Sequence, residues 1–389
     1  MTSVIARSVH GAEWVCAAEV CSLIGTDDGV DVSRREVTFE IAALSPALLG
    51  LRTADDVYLT VGTVRGVGTT KDIPSAAGHA AAALDWDFAL RQLRLVRQIP
   101  DAVRFDVVVS LEGKRSYNRY AMEAAVGSSL APVLRAEFLE RVPGRSMVVD
   151  PDLTVRVFVR GDHAVVALRL GPRPLHRRTY KTDTGPGTLH PPVAATMAAL
   201  VALAVPEAGT VLDPFCGDGT VPIELAIARP KLRVVASDLD PRRAENACRN
   251  AGRAGVHIDV ARADAAVVVE TAAAGSVDAV LTNPPWSLAV DWAGQLRTDG
   301  GRFWHLLTLL LADGGVLCTV TEAGLEVPAL LAGGGWAIGL RQQLRLAGRM
   351  VHLLLASPPG TAGAPQLPPE MERWRQRALQ AGVVTESGF

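Results

Sequence analysis

The chain has 389 residues, enough for two or three domains of ordinary size. Hydrophobic residues make up 49% and charged residues 21%, a balance that excludes a largely disordered chain. The formal net charge of −2 excludes a uniformly basic protein, so any contact with nucleic acid requires a local excess of positive charge.

Membrane and metal sites are not expected either. The longest uncharged apolar run without glycine, 193–205, is shorter than the ~20 residues that a bilayer span needs. The N-terminus has neither the cationic start nor the apolar stretch of a signal peptide. The five cysteines form no Cys-x-x-Cys pair and no cluster with histidine, which argues against disulfides and zinc. We therefore expect a cytoplasmic protein without a membrane partner or a metal.

The first 172 residues alternate short β-like runs with helical patterns. The runs predict strands at 37–41, 57–61, 105–109, 154–159 and 164–170, the last two joined by a hairpin turn at 160–163. Helical spacing predicts helices at 80–96 and 121–138. Because no dinucleotide-type glycine fingerprint accompanies these elements, we expect an α+β module.

Positive charge is concentrated between residues 91 and 181. This stretch holds 17 Lys and Arg against 9 Asp and Glu, whereas the other residues hold 22 basic and 32 acidic side chains. Such a basic module is typical of a nucleic-acid contact, although solvated surface charge and interdomain ion pairs are open alternatives. The candidate contact residues are Arg115, Arg119, Arg173, Arg177, Arg178 and Lys181.

A linker rich in proline and glycine, 171–192, precedes a regular alternation of helices and strands. Predicted helices are 193–204, 220–228, 241–254 and 303–312, and predicted strands are 210–212, 233–236, 257–260, 277–282 and 315–320. A closing hairpin is predicted from 343–346 and 350–355, and a short helix at 370–379. Strands separated by helices indicate a doubly wound parallel sheet.

A glycine loop follows the first strand of this second half. Gly217 and Gly219 allow a tight turn before a helix whose free N–H groups favour an anionic ligand group. Pro222 stands where a dinucleotide fingerprint has its third glycine, and Asp213 is a poor neighbour for a pyrophosphate. An acid beside free N–H groups suits S-adenosylmethionine, whose amino-acid end carries both charges. A plain structural turn is the alternative.

Acidic residues follow the next two strands. Asp238, about 20 residues after the loop, has the position of a ribose ligand, a feature that nicotinamide-cofactor proteins share. Asp264 is a candidate acceptor for the adenine amino group or a turn aspartate. Asp240 precedes Pro241, and we interpret it as the N-cap of a helix.

The motif Asn283-Pro284-Pro285-Trp286 ends the strand at 277–282. The Asn283 oxygen and the Pro284 carbonyl can both accept hydrogen bonds from an exocyclic NH2 group, while Trp286 offers a stacking face for a base. We therefore take these four residues as catalytic candidates for methylation of an amine. A rigid turn with a core tryptophan is the other interpretation.

Together these motifs resemble the THUMP-domain class I S-adenosylmethionine-dependent RNA methyltransferases that form N2-methylguanosine. The resemblance rests on 213–220, on 283–286, and on the stretches 178–181 and 189–192 that precede them. It implies that the stretch 178–181 links the two halves of the chain, that Leu189, His190 and Pro191 close over the cofactor, and that the target is tRNA. Trp286 and Ser287 replace the usual Tyr or Phe and Gly, and Asp218 replaces a frequent Ser, so guanine and adenine both stay open as target base.

The resemblance implies an α/β fold class: a Rossmann-like class I methyltransferase domain behind an α+β ferredoxin-like and THUMP module. The predicted boundaries are 1–65 for the ferredoxin-like domain, 66–172 for THUMP, 173–190 for the linker, 191–358 for the methyltransferase domain and 359–389 for the tail. A monomer is assumed. The predicted cofactor-binding residues are Leu189, His190, Pro191, Asp213, Phe215, Cys216, Gly217, Gly219, Thr220, Asp238, Leu239, Asp264, Ala265 and Asn283.

Several other functions compete with tRNA guanine methylation. For an NAD-dependent oxidoreductase, the sequence lacks the third glycine of the dinucleotide fingerprint, and the motif at 283–286 would have no explanation. A cytosine-C5 methyltransferase needs a nucleophilic cysteine that the catalytic strand end does not have. Methylation of guanine N2 or adenine N6 in ribosomal RNA, or of an amine in DNA, uses the same chemistry. A catalytically inert RNA-binding protein is the alternative from another class.

Overall fold

The computed structural model describes residues 1–144, 150–202, 204–286 and 290–385, without the side chains of 270 and 271; Ser287 lies outside these ranges. The strands of the first half are β1 (Thr2–Ser8), β2 (Asp31–Ser33), β3 (Glu36–Ile41), β4 (Ala54–Arg65), β5 (Arg104–Leu111), β6 (Glu137–Phe138), β7 (Leu153–Arg160) and β8 (His163–Arg169). Its helices are α1 (Glu13–Ile24), α2 (Ile73–Ala82), α3 (Trp86–Val96) and α4 (Arg119–Leu134).

These strands form one sheet in the order β2-β3-β1-β4-β8-β7-β5-β6. Alternate residues such as Val57, Leu59, Val155 and Val157 are buried in the core that α1–α4 share, as the period of two in a strand requires. The boundary predicted between residues 65 and 66 falls at the end of β4, in the middle of this sheet. The division into a ferredoxin-like and a THUMP domain therefore stays a prediction.

Two helix predictions for this half are corrected. The predicted helix 80–96 is the end of α2 and the whole of α3, because the Asp85 side chain accepts a hydrogen bond from the Phe88 N–H at 2.9 Å and starts a new helix. The predicted helix 121–138 ends at Leu134, since Arg135 adopts a left-handed conformation with φ of 50°. Glu137–Phe138 then pairs with β5 as a short strand.

The second half is the predicted doubly wound structure. Its strands are β9 (Thr210–Asp213), β10 (Arg233–Asp238), β11 (Asp259–Arg262), β12 (Val277–Thr282), β13 (Leu311–Glu322), β14 (Ala337–Leu346) and β15 (Arg349–Ser357). Its helices are α5 (Pro191–Ala202), α6 (Thr220–Ala228), α7 (Pro241–Ala254), α8 (Ala265–Thr271), α9 (Gly301–Leu310), α10 (Val327–Gly333) and α11 (Pro369–Gln380). Helices α8 and α10 were not predicted.

The order of the second sheet is β11-β10-β9-β12-β13-β15-β14. The first five strands of this order are parallel, and β15 is antiparallel to both β13 and β14, which confirms the closing hairpin. The chain order reverses between β9 and β12, and at such a switch point ligands bind outside the carboxyl ends of the strands. None of the helices within the described ranges is long and apolar enough to cross a membrane.

A buried carboxylate joins the two halves. Glu224 on α6 accepts hydrogen bonds from the Arg52 guanidinium at 2.6 and 2.8 Å, from Arg178 Nε at 2.9 Å and from the Tyr180 hydroxyl at 2.8 Å. These donors come from the turn before β4 and from the linker. Because Glu224 is fully buried, the contact fixes the first sheet, the linker and helix α6 relative to one another.

Candidate functional site

The candidate site is a cleft of about 1840 Å³ between the two sheets. It lies at the carboxyl ends of β9, β10 and β12 and is completed by the linker, by the first sheet and by the turn between β14 and β15. The predicted residues that line it are Lys181, Leu189, His190, Pro191, Phe215, Cys216, Gly217, Thr220, Asp238, Leu239, Asp264, Ala265, Asn283, Pro284, Pro285 and Trp286. Asp213 and Gly219 are not part of the lining surface.

The glycine loop packs tightly enough to need its glycines. Gly217 and Gly219 have φ angles of 54° and 85°, which other residues rarely adopt. A Cβ at Gly219 would lie 3.0 Å from Ala247, and one at Gly217 would lie 2.5 Å from the Arg243 guanidinium. Gly219 is also the N-cap of α6, so the free N–H groups of that helix begin at the loop.

Asp213 is buried below the loop with half of its hydrogen-bonding capacity unused. Its Oδ1 accepts from the Thr282 hydroxyl at 2.7 Å and from the Phe215 N–H at 3.1 Å. Its buried Oδ2 has no partner among the described residues. Burial raises the pKa of Asp213 to about 7. A buried carboxylate oxygen without a donor is expected to favour a ligand that brings one.

The two acidic residues at the next strand ends already hold backbone groups. Asp238 accepts from the N–H groups of Gly217 at 2.9 Å and Asp240 at 3.0 Å, and burial raises the pKa of Asp238. Asp264 caps α8 and also accepts from the Gln295 N–H at 2.9 Å. Their ribose and adenine contacts therefore stay predictions, while the predicted N-cap role of Asp240 is confirmed by its bond from the Arg242 N–H.

The motif at the end of β12 faces the same cleft. The Asn283 Oδ1 atom is buried and makes no hydrogen bond within the described part of the chain. The Trp286 indole N–H donates to the Val320 carbonyl at 3.2 Å, which fixes the ring beside β13. An amide oxygen without a donor next to an anchored aromatic ring can accept from the amino group of a flat base.

Segment 183–190 of the linker is fixed to the glycine loop by Asp218. This buried carboxylate accepts from the Gly185 N–H at 2.8 Å, the Thr188 hydroxyl at 2.7 Å and the Asn246 amide at 2.9 Å. It also pairs with Arg243 at 3.2 Å. The role of Asp218 was not predicted, because its partners lie some 30 residues away on both sides.

Histidine and lysine anchor the other end of this segment. His190 Nε2 lies 2.7 Å from Asp55 Oδ1 on β4, and although burial opposes ionisation of Asp55, the contact with His190 lowers its pKa. The Lys181 ammonium donates to the Leu189 carbonyl at 2.9 Å, and burial lowers the pKa of Lys181 to about 8. The segment is thereby held between the two halves of the molecule.

Two of the predicted nucleic-acid contacts are corrected. The Arg178 side chain is only 6% exposed, since it is paired with Glu224. Arg115 donates to the carbonyls of Val67, Gly68 and Gly161 and is a structural cross-link. Arg178 thus forms the interdomain ion pair that was one of the alternatives, whereas the loop cross-link made by Arg115 was not anticipated.

The other four candidates differ in their surroundings. Lys181 lines the cleft, whereas Arg119, Arg173 and Arg177 are exposed outside it. Arg119 lies over the Tyr120 ring, with its Cζ 4.7 Å from the ring centroid. Their nucleic-acid contacts remain predictions.

Sequence reasoning missed the arginines that do line the cleft. These are Arg7, Arg35, Arg156 and Arg169 of the first sheet and its turns, Arg242, Arg243 and Arg249 at α7, and Arg345 and Arg349 at the turn of the closing hairpin. A usable signal for Arg156 and Arg169 was available, because both occupy the polar positions of strands that alternate with buried valine and leucine.

Comparison with known proteins gives consistent relatives. The family model of the RMKL-like methyltransferase domain matches residues 178–338. A tRNA (guanine(6)-N2)-methyltransferase of Thermus thermophilus is 32% identical over 329 residues, 82% of this chain and 88% of that protein. A tRNA (guanine(10)-N2)-dimethyltransferase of Methanothermobacter thermautotrophicus is 31% identical over 38% of this chain and 42% of that one. The crystal structure of TrmN from Thermus thermophilus matches with a TM-score of 0.73 and 27% identity, over 92% of this chain and all of that one.

Proposed function

This chain belongs to the same family as the tRNA (guanine(6)-N2)-methyltransferase of Thermus thermophilus and contains an RMKL-like methyltransferase domain, and we propose that its substrate is a guanosine in tRNA. It is an S-adenosylmethionine-dependent transferase that methylates guanine N2 in RNA. The family resemblance and the class I α/β fold predicted from the sequence are thus confirmed. Our proposal goes beyond this activity in two respects: it gives roles to individual residues, and it identifies the RNA as tRNA.

The glycine-loop region has the donors and acceptors that S-adenosylmethionine requires. Asp213 Oδ2 and the Thr220 hydroxyl are buried without hydrogen-bond partners among the described residues, and Gly217 and Gly219 adopt the positive φ angles that the tight turn requires. We assign Asp213 to the ammonium group and Asp238 to the ribose hydroxyls. When bound, the cofactor supplies an electrophilic methyl group on a sulfonium ion.

The chain's own part in the chemistry centres on Asn283. Its unpaired Oδ1 accepts one N–H of the guanine amino group, and the Pro284 carbonyl accepts the other. These bonds orient the nitrogen lone pair toward the donor methyl group. Trp286 supports the base by stacking, because its indole is anchored to Val320. The methyl–sulfur bond would break as the C–N bond forms, leaving a neutral thioether, and the positively charged amine would then release one proton to solvent, so a strong general base is not required.

The single observation that carries this assignment is the buried Asn283 Oδ1, which has no hydrogen-bond partner in the described ranges and lies in the same cleft as the glycine loop. A guanine inside a duplex cannot reach that atom, so the target nucleotide has to leave its stack. Position 6 of tRNA is the first candidate, because the relative that aligns over 82% of this chain is a guanine(6) enzyme.

Nucleoside mass spectrometry tests the proposal. The purified chain is incubated with S-adenosylmethionine and, separately, with unmodified tRNA transcripts, ribosomal RNA fragments and duplex DNA. We expect N2-methylguanosine in tRNA and its absence when position 6 is changed from guanosine to adenosine. N6-methyladenosine, or product in ribosomal RNA alone, would contradict the tRNA guanosine assignment.

A further inference from the structure

One face of the first sheet is built of arginines stacked on aromatic rings. Along β1, β4, β7 and β8, the residues that alternate with the core positions include Arg7, Tyr58, Arg156, Phe158 and Arg169. We call these five residues the arginine face. Tyr58 and Phe158 belong to a small cluster separate from the core of α1–α4, and the three arginines line the cleft.

The aromatic rings hold the guanidinium groups in place. The Cζ atoms of Arg7 and Arg156 each lie 5.0 Å from the centroid of the Phe158 ring. Tyr58 meets Phe158 edge to face at 5.8 Å, and Arg156 also lies 5.9 Å from the Tyr58 ring. Cation–π contacts of this kind restrict a long side chain without neutralising its charge.

Two of the three arginines make an ion pair among the described residues, and Arg156 makes none; the carboxylates of Asp56 and Asp106 act on it only at longer range. Arg7 pairs with Glu36, and Arg169 pairs with Asp56 at 2.7 Å. Arg156 donates only to the neutral Ser110 hydroxyl, at 2.9 Å, and its buried Nε has no partner among the described residues. Burial lowers the pKa of Arg156, so its cation is held at a cost that an incoming anion would offset.

Charge is distributed unequally between the walls of the cleft. On the wall formed by the first sheet and the β14–β15 hairpin, six arginines face two carboxylates: Arg7, Arg35, Arg156, Arg169, Arg345 and Arg349 against Asp55 and Asp56. The wall around the cofactor loop has four cations and six carboxylates. A positively charged cofactor suits the second wall, and a polyanion suits the first.

The hairpin turn brings two of these arginines to the edge of the cleft. Arg345 and Arg349 are exposed, and they flank Ala347 and Gly348, which have φ angles of 48° and 84°. The Arg345 N–H donates to the His10 carbonyl at 3.1 Å, so the hairpin is anchored to the first half of the chain. The turn and the arginine face thus line the same cleft.

We propose that the arginine face, centred on Arg156, and the Arg345–Arg349 turn bind the phosphates of the RNA strand next to the target nucleotide. The proposal rests on the proposed function for the identity of the anion. It assigns Arg156 to a phosphate with a fixed position, and it assigns Arg345 and Arg349 to phosphates of the RNA strand where that strand enters the cleft. Each contact releases counterions, so it contributes to the salt dependence of binding.

The test compares four variants of the full chain for binding to a fluorescently labelled, unmodified tRNA transcript. Arg156→Gln and Arg349→Gln remove one charge each, and Arg156→Lys keeps the charge without the planar fork. Arg94→Gln is the matched control, because Arg94 is exposed on α3, on the helix-covered side of the sheet. Anisotropy is measured over a range of salt concentrations, and thermal unfolding verifies the fold of each variant.

We expect Arg156→Gln and Arg349→Gln each to weaken tRNA binding about fivefold to tenfold, and to reduce the slope of log affinity against log salt by about 0.7–0.9. Arg156→Lys should keep the slope and lose part of the affinity, while Arg94→Gln changes neither. The affinity for S-adenosylmethionine should stay as in the wild type.

Wild-type tRNA affinity in both Arg156→Gln and Arg349→Gln would overturn the proposal. So would a loss of cofactor affinity with unchanged tRNA binding, since Arg156 would then serve the cofactor carboxylate. If Arg156→Gln fails to fold, Arg349→Gln on the exposed turn decides alone. Absence of N2-methylguanosine in the product would contradict the proposed function and leave these binding results unaffected.

Discussion

The proposed role of Asp213 predicts that cofactor binding depends on pH. With a pKa of about 7 in the ligand-free protein, this carboxylate is protonated in acid and ionised above neutrality. An ammonium group favours the ionised form, so binding lowers the pKa and releases a proton. We expect the affinity for S-adenosylmethionine to rise between pH 6 and about pH 8 as Asp213 ionises, and to fall at higher pH, where the α-amino group of the ligand loses its proton. Titration calorimetry in buffers of different ionisation enthalpy measures both the affinity and the proton released.

The matched variants are Asp213→Asn and Asp240→Asn. The first should bind more weakly and lose the rise between pH 6 and pH 8. The second removes the half-buried N-cap of α7 and should keep the wild-type pH profile. If the affinity of Asp213→Asn for S-adenosylmethionine still depends on pH as in the wild type, a group other than Asp213 is responsible for the titration.

Asn283 is expected to act in the transfer step and Trp286 in base binding. Asn283→Ala removes an acceptor used in the reactive geometry, so single-turnover methyl transfer should fall by about 100-fold or more. Cofactor affinity should change little, because this amide oxygen is assigned to the base. Wild-type transfer in Asn283→Ala would reduce the motif to a structural turn.

Trp286→Ala is expected to weaken productive RNA binding by ~1–3 kcal/mol through lost stacking. Trp286→Phe retains an aromatic face and serves as the control, which should keep most of the activity. The two variants are compared by the dependence of the rate on RNA concentration. Equal losses in both would indicate that the indole bond to Val320, rather than stacking, is what matters.

At the scale of residues, the sequence was most informative where the partners are close in sequence. The glycine loop and the motif at 283–286 follow strands directly, so parallel strands bring them to one edge of the sheet. The burial of Arg178 depends on its pairing with Glu224, 46 residues away, which also binds Arg52 from the other half of the chain. Its charge favoured RNA contact by composition alone, and only the tertiary structure shows that it is buried.

At the scale of elements, two features of helix α6 lie within about one turn of each other. The helix begins after Gly219 of the glycine loop, and Glu224 in its middle accepts hydrogen bonds from Arg52, Arg178 and Tyr180. These contacts hold the helix that follows the glycine loop against the linker and the first half of the chain.

Glu224→Gln is expected to destabilise the chain by about 3–5 kcal/mol, because it leaves buried guanidinium groups without a counter-ion. Urea unfolding measures the change in the free energy of unfolding. Glu245→Gln on α7 is the control, because Glu245 is exposed and its ion pair with Arg249 is long, at 3.9 Å. We expect its free energy of unfolding to change by no more than about 0.5 kcal/mol. Equal stabilities of the two variants would show that the Glu224 contacts contribute nothing net.

The elements themselves were predictable where hydrophobic period and boundary signals agreed. Strands β9, β10 and β12 are short apolar runs bounded by glycine, aspartate or proline, and they were found. The break at Asp85 was missed because α2 and α3 have nearly continuous helical spacing across it. Strand β1 and helix α1 were not predicted, although Thr2–Ser8 carries the alternation that places Arg7 in the cleft.

At the scale of the whole molecule, the chain returns to its beginning. Helix α11 packs on α1, where Trp374 is buried and Arg373 and Arg377 lie 3.4 Å from Asp27. The basic wall of the cleft likewise combines arginines from the first 40 residues and from the hairpin at 337–357 with those of the basic stretch. A count of charge along the sequence located only the middle part of this wall.

Binding of an entire tRNA should therefore use more than the cleft. Arg119, Arg173 and Arg177 are exposed outside the cleft lining, so they can contact only RNA that extends beyond the target nucleotide. A triple variant with glutamine at these positions should weaken binding of full tRNA and reduce the salt slope by about 0.7–0.9 for each true phosphate contact. A short stem-loop that contains the target guanosine should bind the triple variant and the wild type equally. A double variant, Arg91→Gln with Arg94→Gln on α3, removes two exposed charges elsewhere; if its loss of tRNA affinity per charge equals that of the triple variant, general attraction rather than these three contacts explains the affinity.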